Sequence, residues 1–296
     1  MGLIPIGTLV SAKDALQLLP RVIPLGFECF SITFWQDLGG QDLKETAARI
    51  REILDPAGLP VSCISIFSNP LTDDPAGQQA IRAWEALIDA ASLFGTDLVT
   101  GFTGRIPDVP IDKCMPRFGE VFRPLAKRAA DRGVRLAFEN CNMGGTWQRG
   151  TWNIAHGPAA WEMMFQEVPD GNVGLQWEPC HQMVALVDPV PQLRKWAKKV
   201  FSVHGKDATI AWDVVRESGI YGNRPFAWHR TPGFEDSNWA DLITILMMNG
   251  YPGTIDIEGY HDPVYRGDLE WTGQARGLQY LKEARGGTPI PGGDKI

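Results

Sequence analysis

Four strand-like segments in the second half of the chain each carry, near their end, a residue that can bind a metal ion. The segments are Leu136–Asn140, Val173–His181, Phe201–Asp207 and Thr254–His261, and the residues are Glu139, Glu178, His204 and Glu258. Three carboxylates and one imidazole form a hard, oxygen-rich ligand set, which suits Mn²⁺, Mg²⁺ or Co²⁺. The four residues therefore predict a divalent-metal site, provided that the fold brings the strand ends together.

Side chains alternate along a strand, so the residues that share a face with the candidate ligands can be identified. If Glu139 points inward, Ala137 does too, whereas Leu136 and Phe138 face the helices. The same register turns polar pairs inward on the other segments: Gln176 and Glu178, Ser202 and His204, Asp256 and Glu258. Polar inward residues at C-terminal strand ends of a barrel indicate catalysis. The alternative is a set of scattered salt bridges at a rim.

These strands belong to a regular alternation of strand and helix along the chain. Eight strands are predicted at Ile4–Val10, Phe27–Phe34, Val61–Phe67, Asp97–Phe102, Val134–Asn140, Val173–Glu178, Val200–Lys206 and Gly253–Glu258. Helical patterns are predicted at Lys44–Leu54, Ala80–Phe94, Phe118–Arg132, Pro158–Phe165, Pro191–Lys199, Trp239–Asn249 and Leu269–Ala284. Short connections predict a parallel sheet, and eight units predict a single α/β domain, a (β/α)₈ TIM barrel.

The barrel is predicted to occupy residues 1–285. An extended surface tail rich in glycine and proline is predicted to follow at 286–296. One long connection, Ala208–Ser237, is predicted as a loop between the seventh strand and its helix, and a loop of that length is usually functional or disordered.

The composition indicates a soluble globular protein. The chain has 296 residues, 44% hydrophobic and 21% charged, and a net charge of −7, which argues against a nucleic-acid partner. It contains no apolar run long enough to span a membrane and no signal peptide at the N-terminus. Five cysteines without CxxC spacing are typical of a reduced, cytoplasmic protein.

The ligand pattern resembles that of a known family, the xylose isomerase-like barrels. Within it, the chain is similar to the sugar phosphate isomerase/epimerase group, which includes tagatose epimerase, hydroxypyruvate isomerase and inosose dehydratase. That group takes Glu, Asp, His and Glu from strands five to eight, with a His three residues after the Asp. Here the residues are Glu139, Glu178, His204 and Glu258, with His181 at the plus-three position. Glu178 departs from the usual Asp, and its extra methylene moves the carboxylate by about a bond length.

The resemblance implies a metal-dependent isomerase or epimerase acting on a keto-sugar or related polyol. One divalent ion, preferably Mn²⁺ with Mg²⁺, Co²⁺ or Zn²⁺ as alternatives, would stabilise an enediolate. Glu139 and Glu258 would be the acid and base on opposite faces of the carbon beside the carbonyl. His181 would bind and polarise a substrate oxygen. Arg230, in the sequence HRTPGF, resembles a family arginine that binds substrate hydroxyls.

Other residues near these segments have two interpretations each. Lys206 could reach the substrate or orient His204. Trp147, with Trp152, could form an apolar wall over a sugar ring or anchor its own loop. Cys141 and Cys180 would favour Zn²⁺ as ligands but are interpreted as packing residues, since no spacing pattern supports ligation. The remaining histidines, His156, His229 and His261, are weaker candidates for the site.

Two further functions stay open. A lyase would use the same chemistry to expel a leaving group, as a dehydratase or a β-eliminating deglycosidase of 3-keto-glycosides. The aromatic residues of the long connection, Trp212, Tyr221, Phe226 and Trp228, would then face a second ring or aglycone. The third function is a degenerate barrel that binds sugars without turnover. In each case the partner is a small carbohydrate, with no nucleic acid or membrane, and a homo-oligomer is compatible with the resemblance.

Overall fold

The computed structural model describes residues 2–234 and 237–287, and eight parallel strands within them close into a barrel. The barrel strands are β1 (Ile6–Ser11), β2 (Phe30–Trp35), β3 (Val61–Phe67), β4 (Leu98–Gly101), β5 (Arg135–Glu139), β6 (Val173–Trp177), β7 (Val200–Gly205) and β10 (Ile255–Ile257). They pair in chain order, and β10 closes the barrel between β7 and β1. The predicted (β/α)₈ barrel is confirmed, with strand ends shifted by a few residues.

Ten α-helices connect and surround the strands in the described residues. They are α1 (Ala15–Val22), α2 (Leu43–Leu54), α3 (Pro75–Phe94), α4 (Ile111–Ala130), α5 (Pro158–Glu167), α6 (Pro179–Val184), α7 (Pro189–Trp196), α8 (Trp212–Ser218), α9 (Trp239–Met248) and α10 (Glu270–Ala284). Local chemistry sets several starts: the Asp42 and Asp74 carboxylates accept hydrogen bonds from first-turn amides of α2 and α3. The sequence analysis missed α1, α6 and α8, which have only six to eight residues each.

The long connection at Ala208–Ser237 contains regular elements, contrary to the predicted loop. Strand β8 (Asp207–Ile210) pairs antiparallel with β9 (Ala227–Arg230), and α8 lies between them. The hairpin is held because Ala208 and Ile210 pack against Cys180 and Met183 of α6 in a small apolar cluster of their own. Four-residue strands are too short to show alternation in a sequence, so the hairpin was missed.

The inward and outward faces predicted for β5 are confirmed, whereas Phe201 of β7, at an irregularity in the pairing of β6 with β7, packs against an apolar cluster inside the barrel and does not face the helices as the register predicts. Phe138 points outward, with its ring centroid 6.1, 5.7 and 4.8 Å from those of Trp84, Phe118 and Phe122 on the surrounding helices. Ala137 instead packs inside the barrel, in a cluster with Cys63 and Leu98. Fully burying an aromatic side chain such as Phe138 contributes about 1.5–3 kcal/mol to folding, so the packing of the outward face against the helices stabilises the barrel.

Polar side chains form part of the barrel interior, above the apolar cluster of Cys63, Leu98 and Ala137. Ser65 and Thr100 share a hydrogen bond of 2.6 Å, and Gln176 Nε2 donates to Ser202 Oγ at 3.4 Å. All four are buried. These side chains therefore form a hydrogen-bonded layer inside the barrel, below the C-terminal rim.

Three predictions concern the chain's ends and its surroundings. The predicted tail at 286–296 lies outside the described residues except for Gly286 and Gly287. Within the described residues, no helix is both long enough and apolar enough to cross a membrane. All five cysteines are free and buried. The cytoplasmic location stays a prediction.

Candidate metal centre and its cavity

The structure brings together the four predicted metal ligands at the C-terminal rim of the barrel. Glu139 ends β5, Glu178 follows β6, His204 lies in β7 and Glu258 follows β10. One ligand atom from each lies within 4.8 Å of the others. The four strands are consecutive in the barrel, so the cluster spans half of the rim.

Two asparagines fix the backbone beneath two of the glutamates. Asn140 Nδ2 donates to the carbonyl of Glu178 at 3.0 Å, and the Glu178 amide donates to Asn140 Oδ1 at 2.7 Å. Asn153 Nδ2 donates to the carbonyls of Glu139 and Cys141 at 2.8 Å each. Both asparagines are buried, so these bonds hold β5, β6 and the loop after β5 in one arrangement.

The ligand atoms fit a divalent cation because several are buried acceptors without a hydrogen bond. In the described residues, both oxygens of Glu178, both ring nitrogens of His204 and Oε2 of Glu258 have no hydrogen-bond partner. His204 Nδ1 lies 3.2 Å from Glu258 Oε2 and 3.6 Å from Glu139 Oε2, without hydrogen-bond alignment. Lys206 and His181 also contact these carboxylates, but buried polar atoms that are left without a hydrogen bond remain costly. A cation at their centre would remove this cost, and carboxylate and imidazole donors suit it.

The charged groups of the cluster strongly perturb each other's pKa values. Burial raises the pKa of Glu139 well above its usual value, and Glu258 and Glu178 raise it further, while His204 opposes the shift. Burial also acts on Glu258, but Lys206 and His204 outweigh it and hold its pKa well below the usual value. Burial lowers the pKa of His204, yet the surrounding glutamates raise it to about 9. Metal binding would therefore displace a proton from His204, as ligation by imidazole requires.

Two of the predicted substrate-binding residues lie in the cavity above the cluster. Lys206 Nζ is 2.8 Å from Glu258 Oε1 and 4.0 Å from Glu178 Oε2, and the side chain is buried. His181 is also buried, and its Nε2 contacts Glu178 Oε1. Both residues line the same cavity as Glu139 and Glu258.

The other two predicted substrate-binding residues are placed elsewhere. Arg230 Nε donates to Asp262 Oδ2 at 3.1 Å and Nη1 to Thr209 Oγ1 at 3.0 Å, and the residue is not among the described residues that line the cavity. Trp147 packs against the main core and is likewise outside the cavity lining. Arg230 is thus bound both by Thr209 of β8 and by Asp262, which follows β10, and Trp147 packs on the core.

The weaker candidate residues of the sequence analysis are likewise divided between the cavity and positions outside it. His229 and His261 line the cavity, and the rings of His181, His229 and His261 follow one another with centroids 5.1 and 5.8 Å apart. Cys180 Sγ lies 3.4 Å from His229 Nδ1, and Cys141 lines the cavity. His156 lies outside the lining, and burial lowers its pKa to about 4.

The cavity has a volume of about 620 Å³ and an apolar side that the sequence analysis missed. Trp35, Phe67 and Phe102 form this side. They lie at the C-terminal ends of β2, β3 and β4, where the alternation that places Ser31, Ser65 and Thr100 inside the barrel also turns these residues inward. The same rule would have found them in the sequence. The four aromatic residues of the long connection, Trp212, Tyr221, Phe226 and Trp228, are not among the described lining residues.

Comparisons with known proteins place this geometry in context. A family model described as a xylose isomerase-like TIM barrel matches residues 21–284. A comparison with curated protein sequences finds no match. Among solved structures, the chain is similar to the 3-keto-D-glucoside 4-epimerase of E. coli, with 16% identity, a TM-score of 0.71 and coverage of 95% of this chain and 99% of that one.

Two further solved structures have comparable likeness. The D-allulose 3-epimerase of Methylomonas sp., in complex with D-allulose, has 16% identity and a TM-score of 0.67, and covers 96% of this chain and 98% of its own. The probable 3-DHS dehydratase of Bacillus anthracis has 14% identity and a TM-score of 0.65, with coverage of 93% and 98%. At these identities the likeness shows a shared fold.

Proposed function

The chain belongs to the family of xylose isomerase-like TIM barrels, and from this premise we propose that it is a divalent-metal-dependent sugar isomerase or epimerase. The substrate is a keto-sugar or related polyol, and the reaction moves a proton at the carbon beside the carbonyl. One observation carries the proposal. Glu139 and Glu258 approach one cavity from the two ends of an arc of four strands, with His204 and Glu178 on the strands between them.

The proposed cofactor follows from the donor set. Three carboxylates and one imidazole suit Mn²⁺ best, and Mg²⁺, Co²⁺ or Zn²⁺ are alternatives. Such an ion, when bound, acts as a Lewis acid that stabilises negative charge on the substrate oxygens. Four residues would hold the ion: Glu178, His204 and the two outer glutamates, Glu139 and Glu258. Glu178 has a carboxylate, as the family's usual aspartate does, and Asn140 fixes its backbone.

The protein's own residues supply the proton transfer. One of Glu139 and Glu258 removes a proton from one face of the reacting carbon and keeps it, and the other, already protonated, donates its own proton to the opposite face; each carboxyl then exchanges its proton with solvent. Lys206 holds the Glu258 carboxylate in place through its 2.8 Å contact and also reaches the cavity. His181, which lines the cavity, binds a substrate oxygen. Each positioned acid or base is expected to contribute about 10²–10⁴-fold to the rate.

Exchange of substrate protons with solvent tests the proposal directly. The Mn²⁺-loaded protein is incubated in D₂O with a panel of keto-hexoses and 3-keto-glucosides, and deuterium incorporation is followed by mass spectrometry. We expect Glu139→Gln and Glu258→Gln each to slow incorporation by about 10²–10⁴-fold. Glu120→Gln, an exposed residue on α4, is the matched control and should not change the rate. Stoichiometric metal binding without any exchange would overturn the proposal and favour a sugar-binding barrel without turnover.

A lyase is the second candidate, and two observations favour it. The cavity extends beyond the four ligand-bearing strands to Leu9, Thr33 and Phe67 on β1, β2 and β3, and one structural neighbour is a probable dehydratase. In a lyase the same proton abstraction is followed by departure of the group on the next carbon. Release of a leaving group from a 3-keto-glycoside, measured beside deuterium incorporation, separates the two reactions: an epimerase retains the group and a lyase releases it.

A further inference from the structure

We infer that the cavity holds a second binding subsite, which takes a planar apolar group carried by the sugar, such as an aryl aglycone. The subsite is the aromatic wall, defined as Trp35, Phe67 and Phe102 with Trp152 behind Trp35. That the group is attached to a sugar rests on the proposed function. The evidence for the wall itself is the packing and the exposure of its own residues.

The wall consists of side chains in one layer of the barrel. Trp35 and Phe67 are directly paired across β2 and β3, and Phe102 follows β4. The ring centroids of Phe67 and Phe102 are 5.0 Å apart, and that of Trp35 is 6.3 and 6.5 Å from them. Trp152 lies 6.0 Å behind Trp35 at an interplanar angle of 32°. Three mutually neighbouring rings, with Trp152 next to Trp35 alone, form a continuous apolar surface.

This surface does not belong to the core that holds the helices to the barrel. Phe67, Phe102 and Cys141 form a separate apolar cluster, with Met143 packed against it. Trp35 is 57% exposed at the cavity mouth. Single exposed apolar residues are ordinary, but a group of contacting rings that borders a cavity marks a binding surface. The packing of the fold therefore does not account for the wall.

The backbone beside Trp35 is strained, which also indicates a functional role. Gln36, the next residue, has a φ of +67°, in the left-handed region that favours glycine. Such conformations in residues with a side chain are concentrated at ligand sites and active sites. The strained turn follows the residue that presents its ring to the cavity.

The position of the wall relative to the ligand cluster defines the ligand. Gly101 pairs with Phe138, so Phe102 and Glu139, the next residues, lie side by side on β4 and β5. The cavity thus has a charged half, on β5, β6, β7 and β10, and an apolar half on β2, β3 and β4. A sugar over the charged half would direct one substituent to the wall. Cys141 and Met143 extend the wall with apolar atoms, which favours an aryl group over a second sugar whose hydroxyls need partners.

Affinity for unreactive glycosides tests the wall independently of turnover. Calorimetric titration of the Mn²⁺-loaded full chain compares phenyl β-D-glucopyranoside, methyl β-D-glucopyranoside and cellobiose. We expect phenyl glucoside to bind about tenfold more tightly than methyl glucoside, the upper part of the range for an aromatic pair. Trp35→Ala should remove this preference, and Trp35→Phe should keep part of it because a ring remains.

Trp212→Ala is the matched control. Trp212 lies on α8, is 47% exposed and is not among the described residues that line the cavity, so its removal should leave the phenyl preference unchanged. If Trp212→Ala abolishes the preference and Trp35→Ala does not, the aglycone contacts the long connection and the proposed wall is wrong. If cellobiose binds most tightly and requires Trp35, the wall accepts a second sugar and the aryl assignment is wrong.

The failure of the wall and the failure of the proposed function are distinguishable. A phenyl preference that depends on Trp35, found in a protein that exchanges no substrate proton, supports the wall and overturns the enzyme. Proton exchange in a protein that binds phenyl and methyl glucosides equally supports the enzyme and overturns the wall.

Discussion

Two carboxylates, one in β10 and one directly after it, point into the same barrel and have opposite surroundings. Asp256 accepts hydrogen bonds from Cys29 Sγ at 3.3 Å, Ser62 Oγ at 2.9 Å and Thr254 Oγ1 at 2.8 Å. Glu258, two residues later, contacts the cations Lys206 and His204, and its Oε2 has no hydrogen bond within the described residues. Asp256 is thus satisfied by neutral donors, whereas Glu258 keeps an acceptor for a ligand.

The difference separates a structural carboxylate from a functional one. The space around Asp256 is full, because a Cβ added at Gly7 would lie 2.2 Å from its Oδ1 and 2.5 Å from Cys29 Sγ. Glu258 instead borders the cavity. Burial alone raises the pKa of Asp256, and its hydrogen bonds oppose the rise, whereas nearby cations keep Glu258 ionised. Charged partners and a free acceptor, and not burial, mark the candidate site.

The effect of Mn²⁺ binding on stability should distinguish Glu258 from Asp256 most clearly. At a Mn²⁺ concentration a hundredfold above the dissociation constant, we expect the free energy of unfolding to rise by about 2.7 kcal/mol. Glu258→Gln should remove most of this gain because it deletes an anionic ligand. Asp256→Asn should keep it, whatever its effect on the apoprotein. Urea unfolding with and without Mn²⁺ measures the increment, and an equal loss in both variants would refute the distinction.

Deletion of the structural carboxylate, Asp256, should lower the free energy of unfolding and leave its increase on Mn²⁺ binding unchanged. Asp256→Ala removes the acceptor of three donors inside the barrel, and we expect the free energy of unfolding to fall by about 2 kcal/mol. Asp131→Ala, at an exposed residue paired with Lys127, should change it by less than about 0.5 kcal/mol. Urea unfolding of the apoproteins provides the comparison. A negligible change at Asp256 would mean that its hydrogen bonds add nothing net.

The candidate ligands could be predicted from the sequence because strand alternation is a local property. Once Leu136 and Phe138 are assigned to the helices, Glu139 must point inward, and the same holds for Glu178, His204 and Glu258. The barrel order then brings consecutive strand ends together, so no long-range information was needed. The aromatic wall follows the same rule and was missed only because the rule was not applied to β2, β3 and β4.

The partners of other side chains could not be predicted, because they depend on how connections fold over the rim. Arg230 bonds to Asp262, 32 residues away, and this pairing requires the β8–β9 hairpin. Trp147 looked equivalent to Trp152 in the sequence, yet Trp147 packs on the main core and Trp152 backs Trp35. In such loops, packing against distant elements decides the direction of each side chain.

The smallest predicted effect concerns a paired carboxylate at the opposite end of the barrel. Glu28 accepts a hydrogen bond from the Ile6 amide at 2.8 Å and a bidentate one from Arg285 at 2.5 and 2.8 Å. Arg285 also donates to the carbonyl of Ile4, so the group joins β1 to the end of α10. Glu28→Gln should lower the free energy of unfolding at pH 7 by about 1 kcal/mol, a value reduced by solvent screening.

The pH dependence of that difference tests its electrostatic origin. Burial raises the pKa of Glu28, but the Arg285 and Ile6 hydrogen bonds and the charges of Arg285 and Lys282 outweigh burial and lower it. The wild-type advantage is therefore complete above the unfolded-state pKa of about 4.3 and is lost as the pH falls through the lower folded-state value. Urea unfolding of both proteins between pH 7 and pH 3 should show the two stabilities converging. A stability difference that stays constant over this range would mean that the shape of the Glu28 side chain, and not its charge, holds this end of the barrel closed. Glu28 would then differ from Asp256 only in position.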